Sequence, residues 1–166
     1  EQIFYEWGVN RKSRFWVIDD DCEFMLNTPK ETFEVDGKVQ KSPITEETFG
    51  KMLVDIEEAI DAGYPHGGIG TTINNHIGKY RHIDNTRIIS NVWCDGATLS
   101  DEIPKIDWLL DGAEDYYVNW QLLTRGYPNR VIYKYVVNPS VSQAEGGCAE
   151  YRDIEFHNEA CRKLAR

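Results

Sequence analysis

Three consecutive carboxylates, Asp19, Asp20 and Asp21, follow directly on the apolar run Phe15-Trp16-Val17-Ile18, and apolar character resumes at Phe24 and Met25. A short apolar run bounded by polar residues reads as a buried, parallel-type strand. Ionised groups cannot sit unpaired in an apolar core, because desolvating each one costs several kcal/mol. The triplet must therefore lie at a sheet edge, facing water, a basic partner or a metal. Side chains alternate along a strand, so Asp19 and Asp21 point the same way and Asp20 the opposite way. Two hard oxygen ligands side by side suit Mg²⁺ or Mn²⁺, which take one or two protein carboxylates and complete their shell with water and phosphate. The carboxyl ends of strands in open α/β sheets are also where ligands bind. A solvated acidic turn or a helix N-cap is the plainer alternative.

A second acidic pair, Glu114-Asp115, precedes a segment with helical spacing, Tyr116 to Arg125, closed by Gly126. Trp120 and Leu123 fall on one face of it, with Tyr116 or Tyr117 a turn earlier. Carboxylates in a first turn are favoured by the helix dipole, which alone would explain the pair. The alternative is a general base aimed into a cleft beside the metal. His157 shares an apolar stripe with Ile154, Cys161 and Leu164 on a final helix from about 150 to 166, where a core histidine competes with a metal ligand. His66 and His76 read as ordinary residues of a glycine-rich loop from Tyr64 to His76. Turn formers there would let the backbone approach a ligand, or simply make a surface loop. Lys79, Arg81, His82 and Arg87 are the locally basic cluster, a phosphate contact or a solvated basic face.

The elements that must hold these groups are legible in outline. Residues 1–12 suit a short amphipathic helix. The Asp36-Gly37 pair, flanked by Thr32-Phe-Glu-Val and Lys38-Val-Gln-Lys, signals a two-residue hairpin. Thr45 caps a helix whose stripe is Phe49, Met52, Leu53, Ile56 and Ile60 and which stops at Gly63. Thr86 to Trp93 and Val131 to Val137 read as strands, the stretch from Leu99 to Leu110 as irregular or one helical turn interrupted at Pro104, and Asn138 to Cys148 as a flexible segment.

A chain of 166 residues, 41% hydrophobic, suits a single domain from residue 1 to 166 with a sizeable core. No apolar run is long enough to span a bilayer and the first residues lack a signal-peptide pattern, so no membrane partner is expected. Cys22, Cys94, Cys148 and Cys161 are widely spaced, which argues for reduced thiols in a cytoplasmic protein and against a zinc ribbon or disulfide framework. The net charge of −10 argues against general DNA coating, which rests on Lys and Arg, but leaves DNA open as a substrate reached through a local basic patch.

Three separated blocks resemble one family: the strand ending in Asp19-Asp20-Asp21, the block EDYYVNWQLLTRGYPN from Glu114 to Asn129, and GGCAEYR from Gly146 to Arg152. Together they look like a GT-A-type glycosyltransferase and, more narrowly, are similar to the TET-associated glycosyltransferases of bacteriophages. The resemblance runs from about Phe15 to the C-terminus. It implies a Rossmann-like α/β fold, a mixed central sheet flanked by helices. It further implies a nucleotide-sugar donor, a UDP-sugar as first choice, and transfer to a hydroxyl, with hydroxymethylated pyrimidine in phage DNA as the acceptor. A base left in duplex would need flipping if its hydroxymethyl group is to be reached. By the same resemblance Asp19 and Asp21 hold the metal and, with Asp20, the donor diphosphate; Asp115, with Glu114, serves as the base if the enzyme inverts configuration. Gly147, Tyr151 and Arg152 line the acceptor or phosphate side, and His157 falls where a late metal ligand occurs; Arg87 is a phosphate contact by its charge within the basic cluster and not by the resemblance. Only 18 residues precede Asp19, short of the nucleotide-binding βαβ portion a full GT-A domain carries there. Either the donor-base pocket is built differently or part of the N-terminal nucleotide-binding unit is lacking.

Two rival readings share these residues. A non-catalytic domain that kept the fold would fail to bind donor in the presence of metal. A two-metal phosphoryl or nucleotidyl transferase would use the aspartates on phosphate rather than sugar, but no glycine-rich phosphate loop precedes a helix here. The oligomeric state, sugar and stereochemistry stay open.

Overall fold

The computed structural model describes residues 1–19, 22–27, 32–35, 38–71, 81–108, 114–139, 155, 158–159 and 162. Among the described residues eight strands form two sheets: β1 (Arg14–Ile18), β2 (Cys22–Leu26), β3 (Thr32–Val35), β4 (Lys38–Lys41), β5 (His66–Thr71), β6 (His82–Asp84), β7 (Asn91–Asp95) and β8 (Asn129–Pro139). The helices are α1 (Glu46–Asp61), α2 (Gly96–Leu99) and α3 (Glu114–Thr124), with a π-helical turn at Phe4–Asn10 and a 3-10 turn at Ile103–Lys105.

The main sheet runs β1-β7-β5-β8-β2, with β6 also on β8. It is mixed: β5 and β8 are parallel, and the other pairs are antiparallel. It is also curled, and the chain requires this. Five strands at about 4.8 Å per step would hold β1 and β2 about 19 Å apart in a flat sheet. The three residues between Ile18 and Cys22 reach at most about 14 Å. The two edges therefore bend toward each other, and the rings of Trp16 and Phe24 meet at 5.3 Å between centroids, with Phe49 of α1 beneath them.

β1 thus departs from expectation. It is a half-buried edge strand, antiparallel to β7, not a buried parallel one. Its continuous apolar run is explained by the curl, which gives Trp16 aromatic partners and packs Phe15 against Phe4.

α1 follows the sequence signals closely. Thr45 Oγ1 accepts from the Thr48 N–H (3.2 Å), and Gly63 ends the helix at φ +94°. Met52, Ile56, Ala59 and Ile60 are buried against β5, β7 and β8, while Leu53, expected on the stripe, is exposed. β3 and β4 pair antiparallel with Val35 opposite Lys38, and the expected turn residues Asp36 and Gly37 lie outside the described residues.

The glycine-rich stretch is the largest correction. Residues 66–71 are a loop by composition, yet they form β5, wholly buried between β7 and β8. A Cβ at Gly67 would overlap the Arg130 carbonyl and the Trp93 indole, and one at Gly70 would overlap the Tyr133 ring. The glycines admit neighbouring side chains, not a ligand. His66 is accordingly a core residue, and His76 lies outside the described residues.

The stretch Thr86–Trp93 is likewise strand only from Asn91. Thr86–Ser90 is an irregular strap that ends with Ser90 at φ +62°. On α3 the buried residues are Val118, Asn119, Gln121 and Leu122, whereas Trp120 is exposed and stacks on Tyr117. The first residues form a π-turn that packs Phe4, Tyr5 and Val9 on the core and leaves Trp7 exposed. Of the final helix, residues 155, 158–159 and 162 are described and helical.

Candidate active site

The parallel pair β5 and β8 points its carboxyl ends toward one edge of the sheet, and the register places the end of β1 there too. Ile18 lies opposite Asn91, so Asp19 emerges beside Ser90. β2 starts from the same side, with Cys22 opposite Pro139. Asp19 therefore stands at the rim where the two edges of the curled sheet approach, and this is the side on which open α/β sheets bind ligands.

One residue joins the two acidic motifs. The Asp19 N–H donates to the Ser90 carbonyl (3.3 Å), and the Ser90 N–H donates to Asp115 Oδ2 (3.2 Å). Asp115 Oδ1 also accepts from the Tyr116 N–H (2.8 Å). Its carboxylate thus stands in the first turn of α3 with two backbone donors, at the end of the helix dipole that favours a carboxylate. Arg87, exposed on the strap, donates through Nη1 to the Tyr116 hydroxyl (3.3 Å), which brings a guanidinium to the same turn of α3.

The strap is held by buried amides. Asn129 accepts from the Thr86 N–H (3.0 Å) and donates to the Thr86 carbonyl (2.7 Å) and to Asn119, while Asn119 donates to the same carbonyl (3.1 Å). Asn91 accepts from the Ile69 N–H (2.7 Å) and donates to the carbonyls of Ile69 (3.0 Å) and Ile89 (3.1 Å), fixing both sides of Ser90 to the central strand.

Sequence reasoning named Asp19, Asp115 and Arg87, and the structure brings these three to one rim. Glu114 begins α3, and its side chain is not described. Asp20, Asp21, Gly147, Tyr151, Arg152 and His157 lie outside the described residues, as does Lys79. Arg81 gives its carbonyl to Tyr133 and Lys134, and His82 pairs with Ile132 in the β6–β8 ladder. Ser90, Asn91, Asn119 and Asn129 were missed. The polar pair Ser90-Asn91 inside TRIISNVW was the available sign, since it interrupts an otherwise strand-like run.

For a divalent cation the donor chemistry fits at Asp19, an exposed hard carboxylate on the ligand-binding rim, because Mg²⁺ and Mn²⁺ need only one or two such groups from protein. Among the described residues no three His, Cys, Asp or Glu side chains converge on a metal-sized site. No helix of the described residues is long and apolar enough to cross a membrane, and neither Cys22 nor Cys94 is in a disulfide.

Comparison with known proteins supplies the class. The chain is related to the phage DNA glycosyltransferases, so the resemblance carried by its three motif blocks holds at that level. The particular relatives are the Beta-glucosyl-HMC-alpha-glucosyl-transferases of Enterobacteria phages T2 and T6, each 31% identical to it over 157 residues, which is 92% of this chain and 55% of theirs. The chain thus spans about half the length of the curated relatives it matches. No family model and no solved structure matches it.

Proposed function

We propose that the chain carries the catalytic rim of a metal-dependent, GT-A-like glycosyltransferase. It moves a sugar from a nucleotide sugar to a hydroxyl borne by a hydroxymethylcytosine nucleotide in DNA. That hydroxyl is either the hydroxymethyl group itself or one on a glucosyl group already attached to it, as the relatives' names describe for them. The observation that carries this reading is the Ser90 link, in which one residue bonds the metal-type aspartate Asp19 through its carbonyl and the base-type aspartate Asp115 through its N–H.

Asp19 and Asp21 would hold Mn²⁺ or Mg²⁺, with His157 as the late ligand. The ion, when bound, neutralises the charge that develops on the nucleoside diphosphate leaving group. Arg87 adds a guanidinium to the same phosphates, with Asp20 beside them. Asp115, with Glu114, receives the attacking hydroxyl and orients it. In a displacement that inverts the anomeric carbon, Asp115 also takes the proton as the new C–O bond forms and the bond to the diphosphate breaks. Gly147, Tyr151 and Arg152 line the acceptor side.

The test is mass spectrometry of nucleosides after incubating the chain with Mn²⁺, UDP-glucose and hydroxymethylcytosine DNA, with or without prior glucosylation. A hexose-shifted nucleoside that disappears with chelator and in Asp19→Ala supports the reading, and the anomeric configuration of the product separates inversion from retention. Absence of the shift with both acceptors contradicts it.

A further inference from the structure

Ser90 is one of three described non-glycine residues in the left-handed region, at φ +62°. A serine there is strained by roughly 1 kcal/mol relative to ordinary backbone. Such strain persists only where the surroundings over-determine it, and it gathers at functional sites. Here the surroundings do over-determine it. The buried Asn91 side chain bonds Ile89 and both polar groups of Ile69, so the turn is pinned to β5 on its sheet side. The left-handed turn points Ser90's two backbone groups at two different elements, the carbonyl to Asp19 and the N–H to Asp115. An extended serine continuing β7 would aim both groups along the ladder and leave the head of α3 unattached.

From this geometry we infer that Ser90, locked by Asn91, is the positioning residue of the site: its left-handed peptide sets the separation of Asp19 and Asp115. This rests on the function proposed above and deepens it. The role belongs to the backbone of Ser90. The residue requirement is therefore the ability to hold φ near +62°, which glycine meets freely and a β-branched residue does not. The N–H bond to Asp115 is a hydrogen bond to a charged group, and its loss is worth about 10- to 100-fold in a rate that depends on that carboxylate.

The experiment measures glucose transfer from UDP-glucose to both hydroxymethylcytosine DNA acceptors for wild type, Ser90→Val, Ser90→Gly, Asp115→Asn and the double variant Ser90→Val/Asp115→Asn, with melting curves to fix the folded fraction. The expected pattern is a fall in kcat of about 10- to 100-fold per folded molecule for valine. The donor KM should rise as well, because losing the turn also releases the Asp19 N–H from the Ser90 carbonyl. Glycine should restore most of the rate. In the Asp115→Asn background valine should add much less than its loss in wild type, since the part of its effect that passes through Asp115 is already gone. Independent, multiplicative losses, or a valine effect confined to folded fraction, would overturn the positioning role while leaving Asp115 in place. If valine does not fold, glycine still decides, because a large loss in Ser90→Gly would show that the side chain rather than the backbone matters. An unaffected Asp115→Asn enzyme, or no transfer at all, would instead bring down the underlying reading and the positioning role with it.

Discussion

The two ends of the curled sheet treat polar groups in opposite ways. At the amino end of β5, His66 is fully buried, its Nε2 against the Tyr127 carbonyl (3.1 Å) and its Nδ1 without a hydrogen-bond partner. Burial pushes its pKa down to about 4, only partly opposed by the backbone contact. Asn129 and Asn119 beside it are equally sealed. At the carboxyl end of β5 and β8, Asp19 and Arg87 are exposed and Asp115 is half-buried, with donors arranged around it. The lesson is that a buried polar residue here is a fastener. Groups capable of chemistry are those that keep one side toward water while the backbone fixes the other.

The comparison breaks first at Asp115. If the open end is the site, Asp115→Asn should lower the transfer rate by about 10²- to 10⁴-fold while the melting transition moves little, as steady-state rates and calorimetry would show. At the sealed end the reverse should hold. Gly67→Ala forces a methyl into the Arg130 carbonyl and the Trp93 ring and should destabilise the fold by about 3 kcal/mol or more, read by urea denaturation. An unchanged midpoint would mean β5 is not packed as described.

The His66 end also has a pH signature. Its folded pKa of about 4 lies below the ordinary value of 6.5, so between these values the unfolded chain takes up a proton that the folded chain refuses. The stability tied to neutral His66 is complete above about pH 6.5 and declines as pH falls toward 4, by about 3 kcal/mol across the window. Denaturation of wild type and His66→Gln across that range should show a steeper acid loss in wild type, and parallel curves would remove His66 as the cause. The smallest effect is expected far from both ends. Gly50 lies within α1 with open space around it, so Gly50→Ala should raise stability by about 0.5–1 kcal/mol with no change in rate.

What the sequence disclosed divides along the same line. Helix α1 was legible because its cap at Thr45, its apolar spacing and its stop at Gly63 are local signals, each realised within a few residues. The hairpin and β8 were legible for the same reason. β5 was not, since a glycine reads as a turn until one knows that Trp93 and Tyr133 need the space. Nor was the position of β1 opposite β7, which depends on a pairing more than seventy residues away. Helical spacing placed Trp120 a turn from Tyr117, and the two rings do stack, but on the exposed side of α3, which spacing alone does not tell. Asp19 and Asp115 could be named one at a time from residue type and motif, and Arg87 from charge. Their meeting point could not be named, because the polar pair Ser90-Asn91 marks a break in the strand-like run but not the left-handed turn that joins the two aspartates.

The most direct test of a single carboxylate site at the open end is to follow backbone amide signals by NMR while Mn²⁺ is added in the presence of UDP, since paramagnetic broadening falls steeply with distance. Broadening should begin at Asp19, Ser90, Asn91 and Asp115 and spare His66, Tyr127 and Asn129, and Asp19→Ala should abolish it. Broadening centred instead on the acidic outer face of α1, or spread evenly over the chain, would contradict the site.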